Sequence, residues 1–329
     1  MSQLLSTAVV TAVGLTCKAF LNSGVCSITV SNLPVLLDAL RSDQRCSGQG
    51  VVTVSNHLST LDDPLTWGML PTKQYLNSRT IRWVLGASDI MFTNPVFSSF
   101  FRNGQVIETF RGRGIFQPAL DAAVKKLNHG HWVHLFGEGK VYQAAEYPKR
   151  NGIAHLPRFK WGVGRVIMET DVPPLIIPMW LTGFDKLMPE HRLFPYKYFP
   201  KMGVKLGVVF GDPIPPQKIT AALDVLERHG GISQDNDNHG NAAQNVLRSD
   251  SHRKSDLVDE LSLRGWMGEA AARAGLEFAS DLDAATRRRH MDRVRSEVTT
   301  TIQRAVEDLG RKVSGDNLGC PSTLPNAAG

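Results

Sequence analysis

The sequence is poor in the residues that build metal centres and disulfide frameworks. Four cysteines occur in 329 residues, and no two of them form a Cys-x-x-Cys pair. Because a zinc site or a disulfide scaffold needs close spacing or a denser cysteine content, both classes are disfavoured. We interpret the four as free thiols. They are Cys17, Cys26, Cys46 and Cys320.

Charged side chains are almost absent from the start of the chain. Before residue 38 there is no acidic residue and a single basic one, Lys18, which follows an apolar run over residues 4–17. A secretory signal carries its charge before the apolar run, and a mitochondrial presequence is rich in arginine, so neither is typical of this start. Extension to residue 30 reaches the length of about 20 residues that a bilayer requires. We therefore predict a membrane-associating segment over residues 1–30, either spanning or interfacial, with a buried first helix as the alternative.

The chain also lacks the marks of nucleotide and nucleic-acid binding. Gly162-x-Gly164 follows no predicted strand and is not a dinucleotide loop. The net charge of +6 comes without the interleaved aromatic residues that stack bases, so we expect no nucleic-acid partner. Among His129, His131 and His134, the last two point to opposite faces of a predicted strand, which favours a structural role over metal binding. We therefore predict no metal site and no cofactor.

The chain does contain an alternation of strands and helices. Residues 118–127 predict an amphipathic helix. Strands that alternate with helices favour an α/β layer structure, in which helices flank a sheet. Four short runs rich in β-branched or apolar residues predict strands, at 50–55, 131–136, 174–181 and 204–210.

The composition changes in the last third of the chain. Residues 230–255 are rich in Asn, Asp, Ser and Gly, which predicts a disordered, low-complexity insertion with outer limits 221–275. Residues 276–315 regain a helical period, and residues 316–329 form a tail. The basic face of this C-terminal helix is either a solvated surface or a docking surface for anionic lipid. Its apolar face comprises Met291, Val294, Val298, Ile302 and Val306, and its basic face Arg287–Arg289, Arg293 and Arg295.

The candidate chemistry lies in the segment S-N-H-L-S-T-L-D-D-P, residues 55–64. His57 and Asp62 stand five positions apart, and five helical steps would separate their side chains by about 140°, so they can meet only across a turn. Asp63 has a structural interpretation as a helix N-cap before Pro64, which makes Asp62 the preferred functional carboxylate. A histidine oriented by a carboxylate can take the proton of a hydroxyl that attacks an ester or thioester carbonyl, without a serine nucleophile.

The order of further motifs resembles the glycerolipid acyltransferase superfamily. The His57-x-x-x-x-Asp62 pair is followed by GQVIETFR at 104–111, FGEG at 136–139 and VPPLIIPMWLTG at 172–183. The segments NHLSTLDDP, RWVLGASDIMFTN, KLNHGHWVHLFGEGKV and RFKWGVGRVIME are similar to the tafazzin family. The resemblance implies a mixed sheet flanked by helices, with the acyltransferase domain over residues 31–220.

The resemblance also implies site residues. Arg113 is a rival to Arg111 as the phosphate contact, and Arg111 has the alternative of a surface charge. Glu138 has the alternative of a solvated turn carboxylate, and the family usually carries proline where this chain has Gly137. The implied roles are His57 as catalytic base, Asp62 as its partner, Arg111 as a phosphate contact, and Glu138 with Gly139 in the acceptor or glycerol-phosphate pocket.

The implied activity is a phospholipid–lysophospholipid transacylase that needs no CoA and remodels the acyl chains of cardiolipin. Its partners would be cardiolipin, monolysocardiolipin, phosphatidylcholine and the surface of mitochondrial membranes, on the side of the intermembrane space. Residues 172–183 could be a buried strand or an interfacial loop, and the resemblance favours the loop. Two other functions stay open: an acyl-CoA-dependent lysophospholipid acyltransferase, and a catalytically silent lipid-binding or scaffold protein. The sequence does not indicate the oligomeric state of the protein.

Overall fold

The computed structural model describes residues 3–226, 262–276 and 283–319 of the chain. Its centre is a seven-stranded sheet, and a separate two-stranded hairpin, with two residues in each strand, adds β6 and β7. The strands are β1 Cys26–Ser31, β2 Val51–Ser55, β3 Trp83–Ala87, β4 Val106–Thr109, β5 Trp132–Phe136, β6 Lys149–Arg150, β7 Ile153–Ala154, β8 Leu175–Thr182 and β9 Val204–Phe210.

Helices flank this sheet, so the predicted mixed α/β class is confirmed. The amphipathic helix predicted at 118–127 is also confirmed, with proline at its start. The helices are α1 Gln3–Leu21, α2 Leu33–Arg41, α3 Asp62–Trp67, α4 Thr72–Tyr75, α5 Ser88–Met91, α6 Pro95–Asn103, α7 Pro118–Asn128, α8 Trp161–Met168, α9 Phe184–Leu187, α10 Pro216–Thr220, α11 Gly265–Arg273 and α12 Ala284–Ser314.

Strand direction determines where the loops of the domain meet. The order across the sheet is β1-β9-β8-β2-β5-β3-β4. Strands β8, β2, β5, β3 and β4 are mutually parallel, whereas β9 is antiparallel to β8 and parallel to β1. Because the carboxyl ends of parallel strands meet at one edge of the sheet, the loops that follow these five strands converge there. We call this side of the molecule the carboxyl edge.

All four predicted strands are confirmed to within one residue at each end. Residues 172–183 form β8 and its flanks rather than an interfacial loop, because β8 lies between β2 and β9 with nearly every side chain buried. The limit of the membrane-associating segment at residue 30 is also wrong. Residues 26–31 are β1, whose Cys26 pairs with Val204 of β9, so this part of the chain belongs to the sheet.

Helix α1 packs one side onto the domain through small and polar residues. A Cβ atom at Gly14 would lie 2.6 Å from the ring of Tyr75. The Thr11 hydroxyl donates to the Tyr75 carbonyl over 2.7 Å, and Lys18 Nζ donates to the Leu70 carbonyl over 2.8 Å. By length and composition alone, α1 could cross a membrane. Its other side exposes apolar residues, among them Leu4, Leu5 and Leu15.

The outer limits of the predicted insertion are wrong at both ends. Residues 221–226 are helical, with Leu223 buried. Helix α11 lies within the predicted disordered range, and its Trp266 is buried, with Nε1 donating to the Ile167 carbonyl over 2.8 Å. Both segments pack on the domain because they bring apolar side chains to it. Residues 230–255 lie outside the part of the chain that the structure describes.

The C-terminal helix α12 lies against α8 and β8 and buries all five apolar residues of its predicted face. Arg295 was expected on the basic face, but it is buried at 2% exposure. Its guanidinium lies 5.0 Å from the centre of the Phe116 ring, which Arg165 also contacts. Glycines allow close approach of the helix, because a Cβ atom at Gly164 would lie 2.5 Å from the Thr299 hydroxyl.

We expect Gly310→Ala to destabilise the protein, although alanine is the better helix former by about 1 kcal/mol. A Cβ atom there would lie 2.7 Å from atoms of the buried Trp180 ring, and overpacking of this kind lowers the free energy of unfolding by about 1–3 kcal/mol. Urea unfolding measures the change. Arg304→Ala, at an exposed position of the same helix, is the control and should have an effect within about 0.5 kcal/mol. A gain in stability for Gly310→Ala would contradict the close contact.

Candidate active site

His57 and Asp62 meet across the turn that their spacing requires. His57 follows β2 at the carboxyl edge, and its Nδ1 lies 2.9 Å from Asp62 Oδ2. The same oxygen accepts hydrogen bonds from the backbone N–H groups of Leu58, at 2.5 Å, and Ser59, at 2.9 Å. The chain therefore folds around one carboxylate oxygen, which fixes both the turn and the imidazole.

The Asp62 carboxyl is fully buried, and this burial raises its pKa. The hydrogen bonds from His57 and from the backbone act in the opposite direction, because they favour the ionised form. Asp62 Oδ1 is buried and has no hydrogen-bond partner within the described ranges. All the polar contacts of this carboxylate are therefore directed to the turn that carries the histidine.

The His57 ring is clamped with one nitrogen available. It stacks on Phe136 with ring centres 3.9 Å apart and an angle of 20° between the planes, and 18% of its side chain is exposed. Because Nδ1 is directed to the carboxylate, the tautomer with a proton on Nδ1 leaves the lone pair of Nε2 as an acceptor. Nε2 has no hydrogen-bond partner among the residues described. The arrangement can therefore present a general base to a bound hydroxyl.

Asp63 is not an N-cap, because α3 begins at Asp62 and its N-cap position is Leu61. Instead, both Asp63 oxygens bind the Arg82 guanidinium, with Nε at 2.9 Å from Oδ1, and Trp67 Nε1 donates to Oδ1 over 3.0 Å. Burial by itself would raise the pKa of the Asp63 carboxyl, but the neighbouring guanidinium holds it below its ordinary value. Asp63 thus has a structural role, as the sequence predicted, but it binds Arg82 and Trp67 instead of capping α3.

Glu138 lies beneath the His57 loop and is not a solvated turn carboxylate. It is 1% exposed, and its Oε2 accepts a hydrogen bond from the backbone N–H of His57 over 3.1 Å. Its Oε1 is buried without a hydrogen-bond partner in the described part of the chain. Burial raises the pKa of the Glu138 carboxyl well above its ordinary value. The structure therefore brings Glu138 to the same loop as the His57–Asp62 pair.

The two glycines around Glu138 are required by close approach of neighbouring groups. A Cβ atom at Gly137 would lie 2.3 Å from the ring of Phe159, and Gly139 has a φ of +73°. Gly137 N–H donates to the Ser55 carbonyl over 3.3 Å, and its own carbonyl accepts from Lys160 N–H over 2.8 Å. Gly137 is therefore held on both sides, and Phe159 occupies the space beside it.

Arg111 lies at the carboxyl edge but apart from the histidine. It follows β4, which two strands separate from β2, and its side chain is 51% exposed. Its nearest charged partner is Asp89, at 3.5 Å. Arg113 packs its guanidinium 4.6 Å from the centre of the Phe110 ring. Among the described residues, neither arginine contacts His57.

Asn56 is a site residue that sequence reasoning missed. Its side-chain oxygen accepts from Leu181 N–H over 2.8 Å, and its nitrogen donates to the Leu181 carbonyl over 3.0 Å. The same nitrogen lies 3.4 Å from the Tyr147 hydroxyl. Asn56 thus ties the end of β2 to β8 directly beside His57. The only signal in the sequence is a polar residue next to the histidine at the end of a buried strand.

The other histidines that the sequence singled out lie in different environments. His134 is buried, with Nδ1 at 2.8 Å from the Thr53 hydroxyl, and burial lowers its pKa to about 3. Burial likewise lowers the pKa of His131 to about 4. His129 is exposed at the end of α7. Since both rings are held neutral, His134 is suited to hydrogen bonding inside the sheet, and the half-buried His131 is suited to packing against Trp83.

Comparison with known proteins gives the family of the chain. An Acyltransferase family model matches residues 29–182, the range that contains His57, Asp62 and Glu138. The chain is 36% identical over 216 residues to a protein named Taffazin from Dictyostelium discoideum, which covers 64% of this chain and 70% of that protein. It is 39% identical over 201 residues to N-acylphosphatidylethanolamine synthase from Arabidopsis thaliana, with 60% and 67% covered.

Among solved structures, the chain is similar to the 1-acyl-sn-glycerophosphate (LPA) acyltransferase, PlsC, from Thermotoga maritima. The TM-score is 0.40 and the sequence identity 18%, over 64% of this chain and 69% of that one. The sequence relatives carry the assignment, because one of them is 36% identical and matched over 70% of its length. This chain belongs to the tafazzin family and is an acyltransferase.

Proposed function

We propose that this acyltransferase is a CoA-independent phospholipid–lysophospholipid transacylase that remodels the acyl chains of cardiolipin. The observation that carries the mechanism is the His57–Asp62 pair, with Nδ1 at 2.9 Å from the carboxylate and Nε2 left available. The substrate class is supported by the relative named Taffazin. Phosphatidylcholine would serve as an acyl donor and monolysocardiolipin as an acceptor.

In the proposed reaction, His57 Nε2 takes the proton of the lysolipid hydroxyl as that oxygen attacks the acyl ester carbon of the donor. The new ester bond forms, the donor ester C–O bond breaks, and the proton passes from Nε2 to the oxygen of the departing lysolipid. Asp62 keeps Nδ1 protonated and stabilises the imidazolium between the two transfers. Because donor and acceptor have the same chemistry, the same groups catalyse the reverse reaction.

Substrate binding is proposed for the residues around this pair. Burial raises the pKa of Glu138 and so favours its protonated form, which is suited to donate a hydrogen bond towards the acceptor, and Gly139 lets the backbone approach the ligand. Arg111 is exposed at the same edge, where a guanidinium can bind a lipid phosphate with two hydrogen bonds. The phosphate would thus lie on the β4 side of the histidine.

The membrane position is proposed from α1. Its contacts with Tyr75 and Leu70 hold it on the domain, while its outer side is apolar. This combination suits a helix that lies in the membrane interface rather than one that spans the bilayer alone. We propose mitochondrial membranes, with the enzyme facing the intermembrane space, as the location.

A second candidate acceptor is the amine of an ethanolamine phospholipid. The observation that favours it is the 39% identity to the Arabidopsis protein named N-acylphosphatidylethanolamine synthase. The same Nε2 could take a proton from the amine as it attacks the donor ester, giving an amide instead of an ester. Acceptor chemistry therefore has to be tested directly.

We expect His57→Ala to lower acyl transfer about 10²–10⁴-fold, the contribution of a positioned general base. The assay is exchange between labelled phosphatidylcholine and monolysocardiolipin in liposomes without CoA. His129→Ala, at an exposed histidine outside the site, is the matched control and should keep the parent rate.

The products of that assay separate the alternatives. Transfer that occurs only when acyl-CoA is added would identify a CoA-dependent enzyme. An N-acyl product from ethanolamine phospholipid would favour the amine acceptor. Absence of transfer under all these conditions would contradict the transacylase proposal and favour a lipid-binding protein.

Glu138→Gln should remove a pH dependence of stability. Because the folded-state pKa of Glu138 is raised above the unfolded value of about 4.3, its contribution is fully present below that pH and is lost as the pH rises through the folded-state pKa. Relative to Glu138→Gln, the parent should lose stability as the pH rises above that unfolded value, by at most about 1.4 kcal/mol per pH unit. Urea unfolding over a series of pH values measures this. A difference that does not change with pH would mean that Glu138 is not held neutral.

Arg111→Ala should raise the KM for the lysolipid acceptor about tenfold or more, since a charge-assisted hydrogen bond contributes about 1.5–3 kcal/mol. The kcat should change little, because the residue does not contact the reacting atoms. Thermal unfolding should not change, since the side chain is half exposed. Arg113→Ala is the matched comparison, and a larger KM effect there would transfer the phosphate role to Arg113.

A further inference from the structure

A loop near the active site exposes an unusual number of large apolar side chains. Within ten residues, six of them are between 61% and 82% exposed. A soluble domain rarely exposes so many neighbouring large apolar groups unless the surface binds something. We call residues 193–202 the apolar loop. The six residues are Leu193, Phe194, Tyr196, Tyr198, Phe199 and Met202.

The apolar loop lies on the carboxyl edge beside His57. It follows β8 and α9, and its base is tied to Gln143, whose Nε2 donates to the Met188 carbonyl over 3.1 Å and whose Oε1 accepts from Glu190 N–H over 3.2 Å. The residue before Gln143, Tyr142, donates its N–H to the His57 carbonyl over 2.8 Å. A short path of hydrogen bonds thus joins the apolar loop to the catalytic loop.

The charge around the apolar loop indicates its partner. Residues 186–205 contain five Lys and Arg against one acidic residue, a net charge of +4 (5 − 1). Lys186, Lys201 and Lys205 are exposed. Tyr, Phe and Leu mixed with Lys is the composition that binds the interface of an anionic bilayer, where the rings enter the headgroup region and the cations meet phosphates.

A second apolar surface lies on the other side of the active site. Helix α5 begins where β3 ends, at the carboxyl edge, and continues into α6. In the sheet order β8-β2-β5-β3, the His57 and Glu138 loops stand between the apolar loop and α5. The exposed side chains of this α5–α6 surface, between 46% and 74% exposed, are Ile90, Val96, Phe97 and Phe100.

We propose that the apolar loop and the α5–α6 surface both insert into the membrane interface and hold the carboxyl edge against the bilayer. The inference rests on the proposed function, because a lipid acyl ester lies at the depth that such side chains reach. Two contacts on opposite sides of His57 fix its orientation towards the membrane, which a single helix such as α1 cannot do. These surfaces, rather than the buried β8, are the interfacial elements of the domain.

Sedimentation with vesicles of phosphatidylcholine and cardiolipin tests the apolar loop. We expect the double variant Phe194→Ser/Phe199→Ser to bind at least about tenfold more weakly than the parent, because it lacks the two aromatic rings that transfer from water into the membrane interface. Val172→Ser is the matched control, since Val172 is 36% exposed and lies before β8, on the opposite edge. It should bind like the parent. Equal binding by the double variant, or an equal loss in the control, would overturn the proposal.

Charge is tested separately with Lys201→Glu. This variant should bind less tightly to vesicles that contain cardiolipin and should be unchanged on vesicles of phosphatidylcholine alone. Thermal unfolding of every variant should match the parent, because the substituted side chains are exposed. An equal loss on both kinds of vesicle would contradict the role of the basic residues.

Binding and catalysis are distinguishable in this design. With a dispersed short-chain lysolipid and donor, the double variant should transfer acyl groups as fast as the parent, while transfer in vesicles falls with binding. If the parent binds vesicles through the apolar loop but transfers no acyl group, the proposed function fails and the docking surface stands. If the double variant loses transfer equally on dispersed and vesicle substrates, the loop acts in the site, and the docking proposal fails.

Discussion

The buried carboxylate of Asp62 is the group on which the active site depends. Removal of a carboxylate from water is unfavourable unless donors surround it. Here the donors are His57 Nδ1 and the N–H groups of Leu58 and Ser59, all directed to one oxygen. The turn and the orientation of the base therefore have a single physical cause, and neither can change without leaving a buried oxygen unsatisfied.

Two carboxyl groups approach His57 from different sides in different environments. Burial raises the pKa of both carboxyl groups, but Asp62 receives three hydrogen bonds that oppose this rise, whereas Glu138 receives one, from the His57 N–H. Such a pair can divide two roles, a charged partner for the imidazole and a neutral hydrogen-bond donor. The proposed reaction uses that division. His57 needs the charged Asp62 as its partner, whereas a protonated Glu138 can donate a hydrogen bond to an anionic lipid without charge repulsion.

The sequence predicts those features that depend on local pattern, and misses those that depend on distant partners. Strands β2, β5, β8 and β9 were predictable from apolar runs, and the turn from the spacing of His57 and Asp62. The partner of Asp63 was not, because Arg82 is 19 positions away. Helix α11 was missed because its polar surroundings predict disorder, while Trp266 is buried only by contact with the domain. The burial of Glu138 depends likewise on the loop after β2, because its partner His57 N–H is 81 positions away.

Strand direction explains why apolar surfaces lie on both sides of one histidine. Because β9 is antiparallel to β8, the chain between them needs no crossover helix, so residues 183–203 can project from the carboxyl edge. Because β4 is parallel to β3, the chain that joins β3 to β4 must return to the opposite edge of the sheet. This connection begins with α5 at the carboxyl edge and continues with α6. The mixed sheet therefore supplies two projecting segments around His57, and each of them exposes apolar side chains where a fully soluble domain would expose polar ones.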